Sequence, residues 1–224
     1  MPATADTPPT KDQALALARA INLRAADLPG WRAAPNTNTP ADRREEDRLN
    51  RCAGTVPSSR AIAHLSSPDF SRTTQSFYRD AVSEVTVMPT VTLANQDLAA
   101  ARTKRARRCI AKFLSKMPPD PNVKVVGTSV RSLPPPTRKG LGLRIKIRLT
   151  LSGRPTVMYG DVFAFVRGRV EVALTTFSFP RTFPAAKERQ LTRLLVKRQR
   201  TNVRSTRKPS AAVSFFPSSV ARAL

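Results

Sequence analysis

Cysteine, histidine, glycine and, past the midpoint, acid are all scarce in this chain. Of its 224 residues two are cysteine, one is histidine and one is tryptophan. No CxxC pair and no Cys/His cluster occurs, so no zinc or other metal site is expected. A Ser–His–acid or Cys–His mechanism would have to use His64. It stands among ordinary polar residues, where a surface role is the simpler reading. GxGxxG, GxxxxGKS/T and GxSxG are all missing, so nothing points to a cofactor. No apolar run approaches the roughly 20 residues that a bilayer-spanning helix needs. Eight glycines and 20 clustered prolines fit neither a collagen-like nor a fully disordered chain. The prolines gather at the N-terminus, at 118–121 and at 134–136, where they act as punctuation.

Acid runs out halfway. Residues 1–100 hold 11 Lys/Arg and 11 Asp/Glu, whereas residues 101–224 hold 28 basic residues and only Asp120, Asp161, Glu171 and Glu188. The second half therefore carries the whole net charge of +24. Such a surface attracts polyanions: nucleic acid, anionic lipid or acidic polysaccharide. The candidates for that contact are Arg105 and Arg108 in "ARTKRARRCIAKFL", and Lys197, Arg198 and Arg200 near the C-terminus. The plainer reading is solvated surface charge. Nucleic-acid modules interleave aromatics with their cations, and no such pattern is present.

Periodicity gives the elements. Residues 1–10 are Thr/Pro-rich and expected to be disordered. "KDQALALARAINL" predicts a helix over 11–22, and Trp31 follows a Pro-Gly turn as a core anchor. A second helix starts with Thr39 as N-cap and Pro40 in its first turn, and Gly54 stops it. Leu49 and Cys52 share one face of it. Residues 55–80 read as polar, turn-rich chain, and "AVSEVTVMPT" as a strand. One long helix is predicted over 92–117, with Leu98, Ala101, Cys109, Phe113 and Met117 along one side. Four strands with short links follow. "GLRIKIRLTLSG" alternates strictly, with Leu143, Ile145, Ile147, Leu149 and Leu151 on one face and Arg144, Lys146, Arg148 and Thr150 on the other. "TVMYGDVFAFV" is apolar on both faces, as a central strand is, and a tight turn at "RG" leads into "RVEVALTTFSF". A last helix places Leu191, Leu194 and Leu195 inward. The order predicts an α+β fold: an antiparallel meander covered by helices, one domain over 11–199, and a basic disordered tail over 200–224.

The phrases "DLPGW", "RLNRCAG", "SPDF" and "SEVTVMPT", a helix carrying the second cysteine, and "GLRIKIRLTLSGRPTVMYGDVFAFVRGRVEVALTTFSFPRTFP" occur in that order. Over roughly residues 12–198 this resembles a family of actinobacterial envelope proteins. These are similar to the extracellular sensor domain of mycobacterial serine/threonine kinases and to small mycobacterial lipoproteins. The resemblance implies a Mog1/PsbP-like α/β/α sandwich and an exported, non-catalytic domain that binds a ligand or partner of the envelope. It carries no catalytic motif to transfer. The start "MPATADTPPTKDQ" shows no export signal or lipid-attachment cysteine, so location outside the cytoplasm rests on the resemblance.

Two cysteines fit either one disulfide or two buried thiols, and the exported reading favours a Cys52–Cys109 bond. The default ligand place is a groove between sheet and helices. Arg144, Lys146 and Arg148 are the candidates for anionic contacts. Asp161 and Glu171, on neighbouring strands, are the candidates for a carboxyl pair, and pairing with nearby arginines is the simpler reading. The alternative function is a cytosolic basic protein that binds nucleic acid or another polyanion through its C-terminal half.

Overall fold

The computed structural model describes residues 7–36, 39–115 and 123–205. The expectations for residues 1–6, for Met117 and for 206–224 lie outside them. Helix α1 (Lys11–Ile21) opens with a reciprocal cap, in which Thr10 and Gln13 each bond the other's backbone. A single turn of 3-10 helix, Ala25–Asp27, leads to the short strand β1 (Arg32–Ala34). Helix α2 (Pro40–Ala53) begins at its proline and ends before Gly54, whose φ of +79° only glycine adopts freely. Then come β2 (Ala63–Ser66), β3 (Asp69–Thr73) and β4 (Tyr78–Val87). Helices α3 (Val91–Ala101) and α4 (Lys104–Leu114) precede the meander β5 (Val123–Leu133), β6 (Gly140–Leu151), β7 (Arg154–Arg167) and β8 (Val170–Phe179). Helix α5 (Ala185–Ser205) closes the fold and runs past the domain edge expected at 199.

The fold is α+β. The eight strands form one antiparallel sheet in the order β1-β3-β4-β8-β7-β6-β5, and β2 pairs with β4 beyond the end of β3. The strict alternation of β6 places Leu143, Ile145, Ile147 and Leu149 in the core, and Arg144, Lys146 and Arg148 on the other face. Leu151, at the end of that series, is 40% exposed. The β6–β7 turn uses Ser152 and Gly153, both at positive φ, which suits the strand twist. β7 is central as expected, between β6 and β8.

Each sheet face has its own cover. On one, α1 and α5 pack over β4, β8 and β7, and burial of Phe70, Val85, Val172, Leu174, Leu191 and Leu195 holds them there. Leu194 is only partly buried, and Trp31 packs on Phe183 at 5.8 Å. Arg198 of α5 forks onto Asp27 (2.7 and 2.8 Å) and so fixes the two ends of the fold to each other. On the opposite face, α3 lies over β6–β8, α4 lies over β5, and α2 packs on α4.

Two expectations are corrected. The long helix over 92–117 is two helices, because the hydroxyl of Thr103 accepts from Ala106 N (3.1 Å) and starts a new one. Arg102, at the joint, donates to the carbonyls of Gly140 and Arg138. Residues 55–80 are not a turn-rich connection, since they contain β2 and β3. Their polar side chains belong on one wall of a cavity or at the sheet edge, so hydrophobic patterning does not reveal them.

Candidate functional site: a carboxyl-lined cavity under α2 and α3

The α3 face holds a cavity of about 180 Å³ between the sheet and its helices. Its floor is a rung of the sheet. His64 of β2 pairs with Thr86 of β4, and Thr86 pairs with Glu171 of β8, so the three side chains stand in line. One rung along, Ser66 donates to Glu84 (3.3 Å), while His64 Nδ1 lies 2.9 Å from Thr86 Oγ1. The roof supplies Glu46 and Asn50 from α2 and Asp97, Leu98 and Ala101 from α3. Met88, Leu141 and Val166 make the apolar end.

Asp97 reaches the cavity because it lies on the inward side of α3, three residues from buried Ala94 and four from Ala101. Its carboxylate accepts from Val56 N, which anchors the chain between α2 and β2. Asp97 and Glu171 share a hydrogen bond across the cavity. Two adjacent carboxyls in a half-dry site cannot both ionise cheaply. Burial, and then the charge of Asp97, push Glu171 up to about 9, so it holds its proton at neutral pH. Burial raises Asp97 as well, against the bond from Val56. No N–H or hydroxyl of the described residues reaches the buried Oε1 of Glu171.

The sign of the lining stands out against the composition. The chain has 39 basic and 15 acidic residues, yet among the described residues Glu46, Glu84, Asp97 and Glu171 line this cavity and no lysine or arginine does. His64, expected as a bland loop residue, is instead a strand residue on its wall. The arrangement suits a small ligand that is positively charged or rich in donors. Among the described residues no cluster of His, Cys, Asp and Glu has the geometry to hold a metal ion, and no helix is long and apolar enough to cross a membrane.

The residues expected to act together are spread over the molecule. Arg144, Lys146 and Arg148 project from the α5 face, opposite the cavity. Arg144 forks onto buried Asp161 (2.6 and 2.5 Å), while Lys146 and Arg148 are exposed. Asp161 pairs with Thr176, five residues from Glu171 along β8, so the two carboxylates point to opposite faces and form no pair. Arg105 donates to Cys52 O (2.6 Å) and Arg51 O, and Arg198 is held by Asp27. Arg108, Lys197 and Arg200 are exposed on the helices. Cys52 and Cys109 are joined by a disulfide that ties α2 to α4.

The buried carboxyls set a pH dependence. Burial, then Asp69, lift Asp80 from 3.8 to about 6, and Glu171 moves from 4.5 to about 9. A raised carboxyl binds its proton more tightly in the folded state. Its contribution is complete below the unfolded value and is lost as pH climbs to the folded one. Stability is therefore expected to fall from pH 5 to pH 9, first through Asp80 and then through Glu171. Glu171→Gln, which keeps the shape and cannot ionise, is expected to remove the upper part of that fall. It should gain about 2 kcal/mol over the parent at pH 8. Urea midpoints at pH 5 and pH 8 measure this, and equal midpoints for parent and variant at both would refute it.

No family model matches the chain, and no curated protein matches it. In solved structures, the extracellular domain of PknH from Mycobacterium tuberculosis is similar to it, with a TM-score of 0.47 and 10% identity. The match spans 89% of this chain and 100% of that domain.

Proposed function

We propose that the protein is a non-catalytic, sensor-like ligand-binding domain of the actinobacterial cell envelope. Its ligand is a small molecule bearing an ammonium group, held in the cavity beneath α2 and α3. The observation that carries this is the lining: among the described residues, four carboxyls and no lysine or arginine, in a chain where basic residues are more than twice as common as acidic ones. Glu171 beside Asp97 ionises only at a cost, which a bound cation removes because it stabilises both carboxylates at once. The Cys52–Cys109 bond is the chemistry of an oxidising compartment, which supports an envelope location over the cytosol. The sequence resemblance to mycobacterial sensor domains supports the same place.

Ethanolamine and putrescine serve as probes. Binding that displaces the Glu171 proton is expected to tighten about tenfold per pH unit below pH 9 and to release one proton. Calorimetry at pH 6, 7 and 8 in two buffers of different ionisation enthalpy reads both. Glu171→Gln is expected to lose the proton release and most of the affinity. Absence of heat with either amine, or affinity indifferent to both pH and the substitution, refutes the cationic ligand.

A further inference from the structure

The α5 face of the sheet is only half covered. α1 and α5 sit over β4, β8 and β7, while Lys124, Ser129, Arg131, Lys146 and Arg148 on the β5–β6 half stand exposed. The register makes these neighbours: Ser129 lies opposite Lys146, and the irregularity at Val126 brings Gly127 opposite Arg148. A side chain at Gly127 would meet the Arg148 guanidinium at 2.9 Å, so the bare glycine lets that guanidinium lie flat over β5. Only one acid points to this side from β5–β7, Asp161, and Arg144 occupies it. The exposed cations have no acidic neighbour on their strands.

Apolar exposure converges on the same end. Three large apolar residues are exposed among the described residues: Val91, Val126 and Leu151. Two of them sit here, Val126 at the β5 irregularity and Leu151 at the tip of the β6–β7 hairpin, followed by exposed Arg154. The result is a flat sheet end with cations on its face and Val126 beside them at the irregularity, while Leu151 continues the opposite, Leu143–Leu149 side of β6 and stands at the rim. Nucleic acid would be gripped by cations interleaved with exposed stacking aromatics, and the aromatic beside these cations, Tyr159 opposite Lys146, is half-buried. Cations flanking an exposed apolar residue are instead the composition of a surface that rests on lipid headgroups.

We infer that the open β5–β6 face, centred on Lys146 and Arg148 with Val126 beside them, docks the protein on an anionic phospholipid surface. The phosphates pair with the cations, and Val126 enters the headgroup layer. The cavity lies on the other face of the sheet and stays open to ligand in the docked state. The proposal stands whatever the cavity binds.

The test is co-sedimentation of the full chain with vesicles of phosphatidylcholine, with and without phosphatidylglycerol. Each basic residue near an anionic bilayer is worth roughly fivefold in affinity. Lys146→Glu/Arg148→Glu is expected to weaken binding to the anionic vesicles by about tenfold or more. Arg189→Glu/Arg193→Glu, exposed on α5, makes the same change in net charge and is expected to alter binding less than about twofold. Val126→Ser is expected to weaken binding about threefold and to make what remains more sensitive to salt. All substituted positions are exposed, and unchanged melting confirms the fold. Equal losses from the two charge reversals mean diffuse attraction and overturn the proposal. So does absence of binding to the anionic vesicles. Tighter binding to an oligonucleotide than to the vesicles, weakened by the β6 reversal, assigns the face to nucleic acid and overturns it too.

Discussion

Cys52→Ser/Cys109→Ser is expected to destabilise the protein by about 4 kcal/mol. The bond closes a loop with a sequence separation of 57, and the chain-entropy relation gives that magnitude for a loop of this length. Little else holds α2 in place. Its sequence, PADRREEDRLNRCA, offers few apolar residues, and the cluster beneath it consists of Leu49, Ala53, Ala106 and Cys109. The bond is backed by Arg105, which donates to the carbonyls of Cys52 and Arg51 and so occupies the open C-terminal end of α2. Loss of the bond is therefore expected to act first on α2, which carries Glu46 and Asn50 over the cavity. Thermal unfolding and amide exchange, each with and without reductant, measure this. Reductant should lower the midpoint and expose α2 amides before those of β7 and β8. An unchanged midpoint after verified reduction would mean that α2 is held by its side chains alone.

Asp161→Ala is the second large effect, at about 3 kcal/mol. Asp161 is 1% exposed and takes both guanidinium nitrogens that Arg144 offers. Removing one partner of a buried pair leaves the other charge uncompensated, which commonly costs about 3–5 kcal/mol. The lower end applies here because of Glu188. This carboxyl is buried against Thr176, bonding its hydroxyl at 3.0 Å, and burial together with Asp161 pushes it well above the usual carboxylate range. Without Asp161, Glu188 is freer to ionise and to take over part of the charge of Arg144. The loss should therefore be larger in Asp161→Ala/Glu188→Gln than in the single variant. Arg144→Met/Asp161→Leu, which removes both charges and keeps the volume, is expected to recover most of the stability. Guanidinium titrations of the four proteins decide it. A loss below about 1 kcal/mol in the first would mean that water solvates Arg144 freely.

These two sites differ in how far the sequence exposes them. The alternation of β6 states its two faces outright, and the register places Asp161 beside Arg144 on one of them. The meander, α1 and α5 follow from hydrophobic spacing for the same reason: one face of each is buried and the pattern must say so. The cavity does not announce itself. Its polar side chains come from β2, β4, β8 and two helices, and only pairing across the sheet assembles them. β2 was illegible because His64 and Ser66 on one side and Ala63 and Leu65 on the other give a weak pattern over four residues. Two signals were available. Asp97 lies at helical spacing from Ala94 and Ala101. In addition, the two-residue turn at Gly168 and Arg169 fixes a register in which residues 161 and 171 fall on opposite faces. Thr103 was a third, since a hydroxyl residue inside a helical run can start a new helix.

The bond between Arg198 and Asp27 joins residues 171 positions apart. It bears on how the chain acquires its shape as it is made. The floor beneath α1 includes β4 and Val85, but the other side of its groove is α5, the last element of the fold. A nascent chain presents α1 first and must then complete seven further strands after β1, and three helices, before the partner exists. Closure is thus a late event between distant segments, the kind that slows folding. Until α5 arrives, the apolar side of α1 lacks its last neighbour and stays available to a chaperone.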